Sequence, residues 1–431
     1  MIRQITVPPL ERLAPFLPRP ASPDPDTVAA VAGILADVQA QGDDAVRRYT
    51  LRFDAIDLPP REWELPHEEW QNALDRVDLE LREALETACA RVEEYHKRQR
   101  DTGFTLLQED GSILGMRVMP LERVGLYVPG GKAAYPSTVL MNAVPAVVAG
   151  VEEIIAVTPP AGGTDAVLAA CKLAGVTRIF RIGGAQAIGA LAYGTTTVPR
   201  VDKIVGPGNR WVTEAKRQVA GQVGIDMFAG PTEVLIIADA SADRRRVAAD
   251  MIAQAEHDED ATAWCVTTDY QLAETLPSEL ERQLERAPRA AVARAALERN
   301  GLLIWAPTMR DAIDVANRRA PEHLEILARD PEGIAEGVRH AGAIFLGDDT
   351  PEAVGDYIAG PSHVLPTAGT ARFASPLGVY DFLKRTSMIR YTRSRLLNDA
   401  DRIVVLAESE GLEGHAQAVR VRIQDRVSTE Y

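Results

Sequence analysis

The chain has 431 residues, of which 46% are hydrophobic and 25% charged, and its formal net charge is −15. This length suggests about two to four domains, and the acidic balance argues against nucleic acid as a partner, because nucleic-acid-binding proteins usually present a basic face. No segment approaches the ~18 consecutive apolar residues of a membrane-spanning helix, so we expect no membrane partner.

The N-terminal region is predicted to be an arm followed by helices. Residues 1–22 are rich in proline and arginine and are expected to form the arm. From 26 to about 100, apolar residues recur at intervals of three and four, which is typical of amphipathic helices. This pattern predicts a helical N-terminal extension.

Between 124 and 239, short apolar runs alternate with helical segments. The runs EEIIAV, RIF, DKIV and EVLIIA are continuous rather than interrupted at every second residue. Such runs are typical of strands in a parallel sheet that helices cover on both faces. Gly/Pro-rich turns such as GPGN (206–209) follow these strands, and open α/β sheets bind ligands at this carboxyl edge.

The region from 241 to about 377 repeats the pattern, with helices between the runs TAWCVTT, GLLIWAP and HLEIL, and AGAIFLG as a further predicted strand. We therefore predict a second α/β unit. The last ~50 residues are predicted to be helical, with a narrow apolar seam at four- and three-residue spacing. The seam consists of Leu412, Ala416, Val419 and Ile423. A tail with such a seam is expected to dock on another surface, and a second subunit is one candidate.

The three cysteines point to a reducing compartment. Cys89, Cys171 and Cys265 are scattered along the chain and none belongs to a CxxC pair. We expect buried, reduced thiols and a cytoplasmic location.

The stretch QAEHDED contains a first candidate for chemistry. Val247, Met251 and Gln254 have helical spacing, so Gln254 is expected on the buried stripe of a helix with His257 on the same face. A buried glutamine needs a partner, and an imidazole with a cation would supply one. The alternative is a capped helix end with its acidic residues in water. Spacing alone favours this alternative, because QxxH is a weaker signal than HExxH.

A second candidate lies in GDYIAGPSHVLPTAG. Asp356 and His363 flank Gly360 and Pro361, so both are expected on or beside a loop. The carboxylate could complete a metal shell of nitrogen and oxygen ligands. An Asx-turn that holds the loop is an equally good interpretation.

A third candidate is the pair Glu322 and His323. Pro321 breaks the preceding helix and HLEIL is predicted to be a strand, so the pair lies at a helix-to-strand junction. Adjacent Glu and His can act as two proton carriers with different pKa values. A solvated junction is the alternative, and the segment alone does not decide between them.

The tail contributes His415, beside the apolar seam, and Glu410, just before the last helix. A lone histidine in such a position is usually packed or at the surface. His67 and His96 lie in charged helical segments and are both expected at the surface. Together the segments offer nitrogen and oxygen ligands and no sulfur. This set suits Zn²⁺ or a similar divalent ion in a site with open positions, and it consists of Gln254, His257, Asp356 and His415.

Eight sequence blocks occur in a fixed order from about residue 120 to the C-terminus. They are GLYVPGG, GGAQAIGALAYG, VDKIVGPGNRWVTEAKRQV, AGPTEVLIIAD, AQAEHD, PEHLEI, GDYIAGPSHVLPT and EGLEGHAQAV. In combination they resemble the histidinol dehydrogenase family, whereas the N-terminal helices carry little signal. The resemblance implies oxidation of L-histidinol to L-histidine through L-histidinaldehyde, with two NAD⁺, as the last steps of histidine biosynthesis.

The resemblance also assigns roles to individual residues. It implies one Zn²⁺ per subunit, held by Gln254, His257, Asp356 and His415, and proton transfer by Glu322 and His323. Contacts with NAD⁺ are implied for Tyr127, Gln186 and Asn209. Contacts with the substrate are implied for Thr232, His323 and Glu410, together with the four metal ligands. Thr232 is one departure, because some members have serine there; the hydroxyl group is retained.

The resemblance further implies two Rossmann-like parallel-sheet domains with helical N- and C-terminal extensions, in a homodimer whose subunits exchange tails. The expected organisation is an arm (1–22), a first α/β domain with the metal and catalytic residues (23–126 and 235–377), a second with the NAD contacts (127–234), and a tail that docks on the partner (378–431). GxGxxG is absent from the sequence, so the residues alone indicate a nucleotide only weakly.

Two alternatives to this function remain. The same ligands, with Glu322 as the base, would serve a zinc-dependent hydrolase of a small nitrogenous substrate. A family member that binds substrate without turnover is a third interpretation. The presence of both Glu322 and His323 argues against it.

Overall fold

The computed structural model describes residues 2–6, 13–17, 24–130 and 135–424. The strands are β1 (Arg3–Thr6), β2 (Phe104–Leu107), β3 (Ile113–Pro120), β4 (Arg123–Tyr127), β5 (Glu153–Val157), β6 (Arg178–Phe180), β7 (Lys203–Val205), β8 (Gly224–Ile225), β9 (Glu233–Ala238), β10 (Thr262–Thr267), β11 (Leu302–Trp305), β12 (His323–Leu327), β13 (Ala343–Leu346) and β14 (Leu383–Arg390). The helices are α1 (Pro25–Gln41), α2 (Asp43–Asp54), α3 (His67–Gln71), α4 (Ala73–Arg76), α5 (Leu79–Lys97), α6 (Pro136–Ala149), α7 (Asp165–Leu173), α8 (Gly184–Tyr193), α9 (Arg210–Val219), α10 (Arg244–Ala255), α11 (Tyr270–Leu284), α12 (Ala290–Asn300), α13 (Met309–Arg319), α14 (Pro331–Ala335), α15 (Glu352–Tyr357), α16 (Arg393–Ser409) and α17 (Glu413–Gln424). None of these helices is long and apolar enough to span a membrane.

Six strands form a parallel sheet in the order β1-β11-β10-β9-β12-β13. Strand β9 is buried along its whole length, and its successive side chains point to opposite faces of the sheet. Ile236 packs on one face with Met251 of α10, and Leu235 packs on the other with Val315 of α13. The continuous apolar run EVLIIA therefore fits a strand that is covered on both faces.

Five further strands form a second parallel sheet in the order β6-β5-β4-β7-β8. Helices α8 and α9 lie between this sheet and the N-terminal helix α1. Trp63 is fully buried in the same core, where its indole N–H donates to the carbonyl of Leu58 at 2.9 Å. The predicted fold class, α/β with two parallel sheets and helical extensions, is confirmed.

The observed packing groups some segments differently from the predicted domain boundaries. Val31 and Ile34 of α1 share a core with Ile188 of α8, although α1 was assigned to the other domain. Within the predicted arm, Arg3–Thr6 form an edge strand on β11, while residues 7–12 and 18–22 of the arm lie outside the described residues. The boundaries themselves stay a prediction.

The chain divides into two compact units, one of Met1–Arg100 with Leu121–Phe382 and one of Asp101–Pro120 with Leu383–Tyr431. The first contains both parallel sheets. The second has an antiparallel sheet, β14-β3-β2, and the paired helices α16 and α17. The prediction that the last ~50 residues are helical is therefore wrong for Leu383–Arg390. This segment forms a strand because it pairs with β3, a partner too distant in the chain to leave a local signal.

Candidate active site

A cavity of about 480 Å³ lies inside the larger unit. One wall consists of turns at the carboxyl ends of strands in the five-stranded sheet, Pro129 after β4 and residues 206–209 after β7. The other wall comes from residues at the amino ends of β9 and β12, namely Thr232, Glu322 and His323. The predicted carboxyl-edge turn is thus part of the cavity. The helix-to-strand junction in the sequence already placed Glu322 and His323 at the start of a strand. That the two residues line a cavity was not predictable.

Glu322 is buried and ionises with difficulty. Its Oε2 accepts hydrogen bonds from the Thr232 hydroxyl at 2.7 Å and from the Glu233 backbone N–H at 2.9 Å. Burial raises its pKa to about 8, and these two hydrogen bonds act in the opposite direction. The side chain is therefore held in place and is mostly protonated at neutral pH.

His323 has the opposite electrostatics. Its Nδ1 lies 3.2 Å from the carbonyl of Glu233, and since a carbonyl only accepts, Nδ1 carries the proton. Burial lowers the pKa of His323 to about 4, so the ring is neutral. Its Nε2 is buried without a hydrogen-bond partner and lies 3.8 Å from Asp356 Oδ1. A free lone pair therefore remains at Nε2. The Glu233 peptide touches both members of the pair, a contact that the sequence did not reveal.

Gln254 and His257 lie at the end of α10, which begins at the N-cap Asp243. Gln254 is fully buried, and its Nε2 donates to the Thr232 hydroxyl at 2.9 Å while its Oε1 has no partner. His257 lines the cavity, and its Nδ1 lies 3.0 Å from the Ala253 carbonyl, so its Nε2 keeps a free lone pair. Both residues thus offer an unused ligand atom, as a metal site requires.

Asp356 lies in the short helix α15, immediately before the loop where it was expected. It lines the cavity, and its backbone carbonyl accepts from Nδ1 of His363 at 3.0 Å. One turn earlier on the same helix, Glu352 is buried with Oε1 3.7 Å from Nδ1 of His323. His323, Glu352 and Asp356 place ligand atoms within 4.8 Å of one another. Sequence reasoning missed Glu352, although its i, i+4 spacing from Asp356 was a usable signal.

Burial raises the pKa of Glu352 well above the usual range. The backbone N–H of Glu352 donates to Oε1 of Glu325 at 2.7 Å. The pKa of Glu325 is also raised, because the residue is fully buried on β12 beside Asp250. Burial therefore disfavours the ionised form of both Glu325 and Glu352.

The two predicted site residues of the tail lie in the other compact unit. His415 is on α17 and Glu410 follows α16, and both side chains are exposed. The expectation for His96 is wrong, because this histidine is fully buried and bonds through Nδ1 to Gln99 at 2.8 Å. His67, by contrast, is exposed as expected.

The three predicted NAD contacts belong to the five-stranded sheet. Asn209 lines the cavity and caps α9 by accepting from the N–H groups of Trp211 and Val212. Tyr127 is buried, and its hydroxyl accepts from the N–H of Gly184 at 3.1 Å. Gln186 is also buried, and neither atom of its amide group has a partner. Tyr127 and Gln186 are not among the described residues that line the cavity.

Two parallel sheets covered by helices, with a buried Glu–His pair on the wall of a cavity, are typical of an α/β enzyme. The sequence profile of the histidinol dehydrogenase family matches residues 17–423. The histidinol dehydrogenase of Oceanobacillus iheyensis is 50% identical over 395 residues, covering 91% of this chain and 92% of that protein. That of Ralstonia nicotianae is 52% identical over 417 residues, with 95% and 94% covered.

The solved structure of histidinol dehydrogenase from Elizabethkingia anophelis is similar to this one, with a TM-score of 0.93, 35% identity and 99% of each chain covered. The chain belongs to the histidinol dehydrogenase family. This family consists of oxidoreductases of histidine biosynthesis. None of the relatives named here is a hydrolase, so the alternative of a zinc-dependent hydrolase gains no support.

Proposed function

We propose that this chain oxidises L-histidinol to L-histidine through L-histidinaldehyde and passes four electrons to two NAD⁺. The observation that carries this proposal is the Glu322–His323 pair on the wall of the cavity. One member is a neutral base with a free Nε2, and the other is a carboxyl group whose pKa is about 8. Two oxidations in one site need two such proton acceptors with different tasks.

For the metal, the proposal is one Zn²⁺ held by Gln254, His257, Asp356 and His415. The residues of the larger unit suit this role, because Gln254 Oε1 is buried without a partner and His257 has a free Nε2 at the cavity. Carboxylate, imidazole and amide oxygen are ligands that zinc accepts. When bound, the ion would anchor the imidazole and amine nitrogens of histidinol.

For the fourth ligand we propose a homodimer in which His415 and Glu410 come from the partner subunit. The smaller unit supports this idea, because its described residues include few buried ones: Ser112, Ala400, Ala407 and Ala416. It also exposes many large apolar side chains. They include Phe104, Leu106, Leu107, Met388, Ile389, Leu397, Val405 and Leu406. A surface of this kind is typical of a subunit interface.

For the dinucleotide, we propose contacts with Tyr127, Gln186 and Asn209. The buried amide group of Gln186 has no hydrogen-bond partner among the described residues, which supports a contact with a ligand. The 206–209 turn lines the cavity, and its conformation depends on glycine. Gly206 has φ of +107°, and a Cβ atom there would lie 2.3 Å from the Tyr127 carbonyl oxygen.

The proposed reaction divides between the two acid–base residues. His323 accepts the proton of the alcohol at Nε2 while hydride leaves the carbon for NAD⁺, which gives the aldehyde and NADH. Glu322, in its ionised form, accepts a proton from the water that attacks the aldehyde. The hydrate then gives up a second hydride and becomes the acid. The cavity keeps the reactive aldehyde bound between the two steps.

An assay with purified protein, L-histidinol and NAD⁺ tests the proposal. Absorbance of NADH is expected to rise only when both substrates are present, and L-histidine should accumulate. NADP⁺ in place of NAD⁺ and reactions without histidinol are the controls. Absence of NADH from zinc-loaded protein would contradict the function.

The free thiols of all three cysteines support the accompanying proposal of a cytoplasmic location.

A further inference from the structure

A second cavity, of about 310 Å³, lies on the larger unit away from the active site. The two cavities have no lining residue in common. The walls of the second are polar and mostly cationic. They consist of Asp314, Asn317, Arg318, Arg339, His340 and Arg372. We call this space the arginine cavity.

One buried side chain holds together the segments that form the arginine cavity. Asn317 of α13 is 8% exposed. Its Nδ2 donates to the carbonyl of Gly337 at 2.9 Å, and its Oδ1 accepts from the backbone N–H of Arg339 at 2.6 Å. Its backbone carbonyl accepts from the guanidinium of Arg372 at 2.7 Å. Asn317 therefore holds three separate segments around one space.

The positive charge of the arginine cavity is not neutralised by the protein. In the parts of the chain that the structure describes, Arg318, Arg339 and Arg372 form no ion pair with a carboxylate, and Asp314 is the only acid on the wall. Other arginines of the chain do form such pairs, for example Arg245 with Asp243 and Arg294 with Glu281. Three arginines and one aspartate line the cavity, so the charge of its wall is positive.

We propose that the arginine cavity binds a phosphate-type dianion, either free phosphate or the phosphate group of a small metabolite. Guanidinium groups present planar forks of N–H donors that match phosphate oxygens. A single carboxylate occupies one such fork, whereas a tetrahedral phosphate offers oxygens to several at once. The Asn317 frame fixes the segments beforehand, so that binding does not have to order them.

Titration of the zinc-loaded protein with inorganic phosphate, followed by ³¹P NMR line broadening, tests this proposal. Arg318→Gln and Arg339→Gln are suitable variants, because neither guanidinium makes a described hydrogen bond within the protein. Each should weaken binding about tenfold, which corresponds to ~1.4 kcal/mol. The matched control is Arg310→Gln, an exposed arginine of the same helix outside the cavity. Its affinity should stay within about twofold of the parent protein.

Ribose 5-phosphate, as a second probe, separates the two sources of the anion. Tighter binding of the ester at the same arginines would identify a phosphorylated metabolite, and equal or weaker binding would identify free phosphate. The proposal is overturned if phosphate does not saturate the parent protein. It is also overturned if Arg318→Gln and Arg339→Gln bind normally, or if Arg310→Gln loses as much affinity as they do, since net charge alone would then explain the binding.

Discussion

Replacement of Thr232 by valine tests how the protein sets the basicity of Glu322. Valine keeps the shape of threonine and removes its hydroxyl group. In the structure that hydroxyl donates to Glu322 Oε2 at 2.7 Å and accepts from Gln254 Nε2 at 2.9 Å. The variant leaves Glu322 with one hydrogen bond to its carboxylate, from the Glu233 N–H. The carboxylate form is thereby destabilised and its pKa rises.

The size of this effect follows from the lost hydrogen bond. A hydrogen bond to a charged group contributes about 1.5–3 kcal/mol, and ~1.36 kcal/mol corresponds to one pKa unit. The pKa of Glu322, about 8 in the intact site, should therefore rise by roughly one to two units. At pH 8 the ionised fraction of Glu322 should fall roughly 5- to 50-fold.

The assay is the pH dependence of kcat with L-histidinaldehyde as the substrate, since this half of the proposed reaction needs ionised Glu322. The pH at which kcat rises, as Glu322 loses its proton, should be higher by roughly one to two units in Thr232→Val. It should be unchanged in Thr232→Ser, which keeps the hydroxyl. A contact with substrate alone would change KM and leave this pH unchanged. Identical pH profiles for the valine variant and the parent protein would mean that the Thr232 hydroxyl does not set the pKa of Glu322.

Three further outcomes are expected. Chelation should abolish activity. Elemental analysis should show that His257→Ala has lost its zinc and that His67→Ala, at an exposed histidine, has kept it. Full zinc content in His257→Ala would remove that residue from the ligand set. Glu322→Gln should slow oxidation of the aldehyde by a factor of about 10²–10⁴ and oxidation of the alcohol much less in single-turnover measurements; equal slowing would contradict the division of tasks. A one-to-one mixture of inactive His257→Ala and His415→Ala subunits should regain about a quarter of the parent activity if tails are exchanged. Half of the dimers are then mixed, and each mixed dimer has one intact site of two. No recovery of activity would argue against shared sites.

Much of the larger unit was predictable because its signals are local. A buried parallel strand is recognisable from its own sequence, as EVLIIA of β9 shows, and helix ends follow from nearby caps such as Asn209 before α9. The junction that places Glu322 and His323 was visible in the same way, since α13 ends at Arg319 and β12 begins at His323.

What was missed depends on contacts between distant segments. Strand β14 exists because β3 accepts it as a partner, and nothing within residues 383–390 reveals that pairing. His96 is buried although its neighbours in sequence are charged. The spacing of Gln254 and His257 could not distinguish a metal site from a helix end. The features that favour the proposed metal site are the unpartnered Oε1 of Gln254 and the nearness of Thr232 among the described residues, and only the folded chain brings them about.

The end-point ratio of NADH to L-histidine shows whether one cavity carries out both oxidations. Limiting L-histidinol is converted to completion with excess NAD⁺, NADH is measured by absorbance, and histidine and histidinaldehyde are measured by chromatography. We expect two NADH for each histidine and no free aldehyde, because in the proposed mechanism the Glu322–His323 pair serves both oxidations in one cavity. One NADH for each histidinol, with aldehyde released into solution, would contradict it.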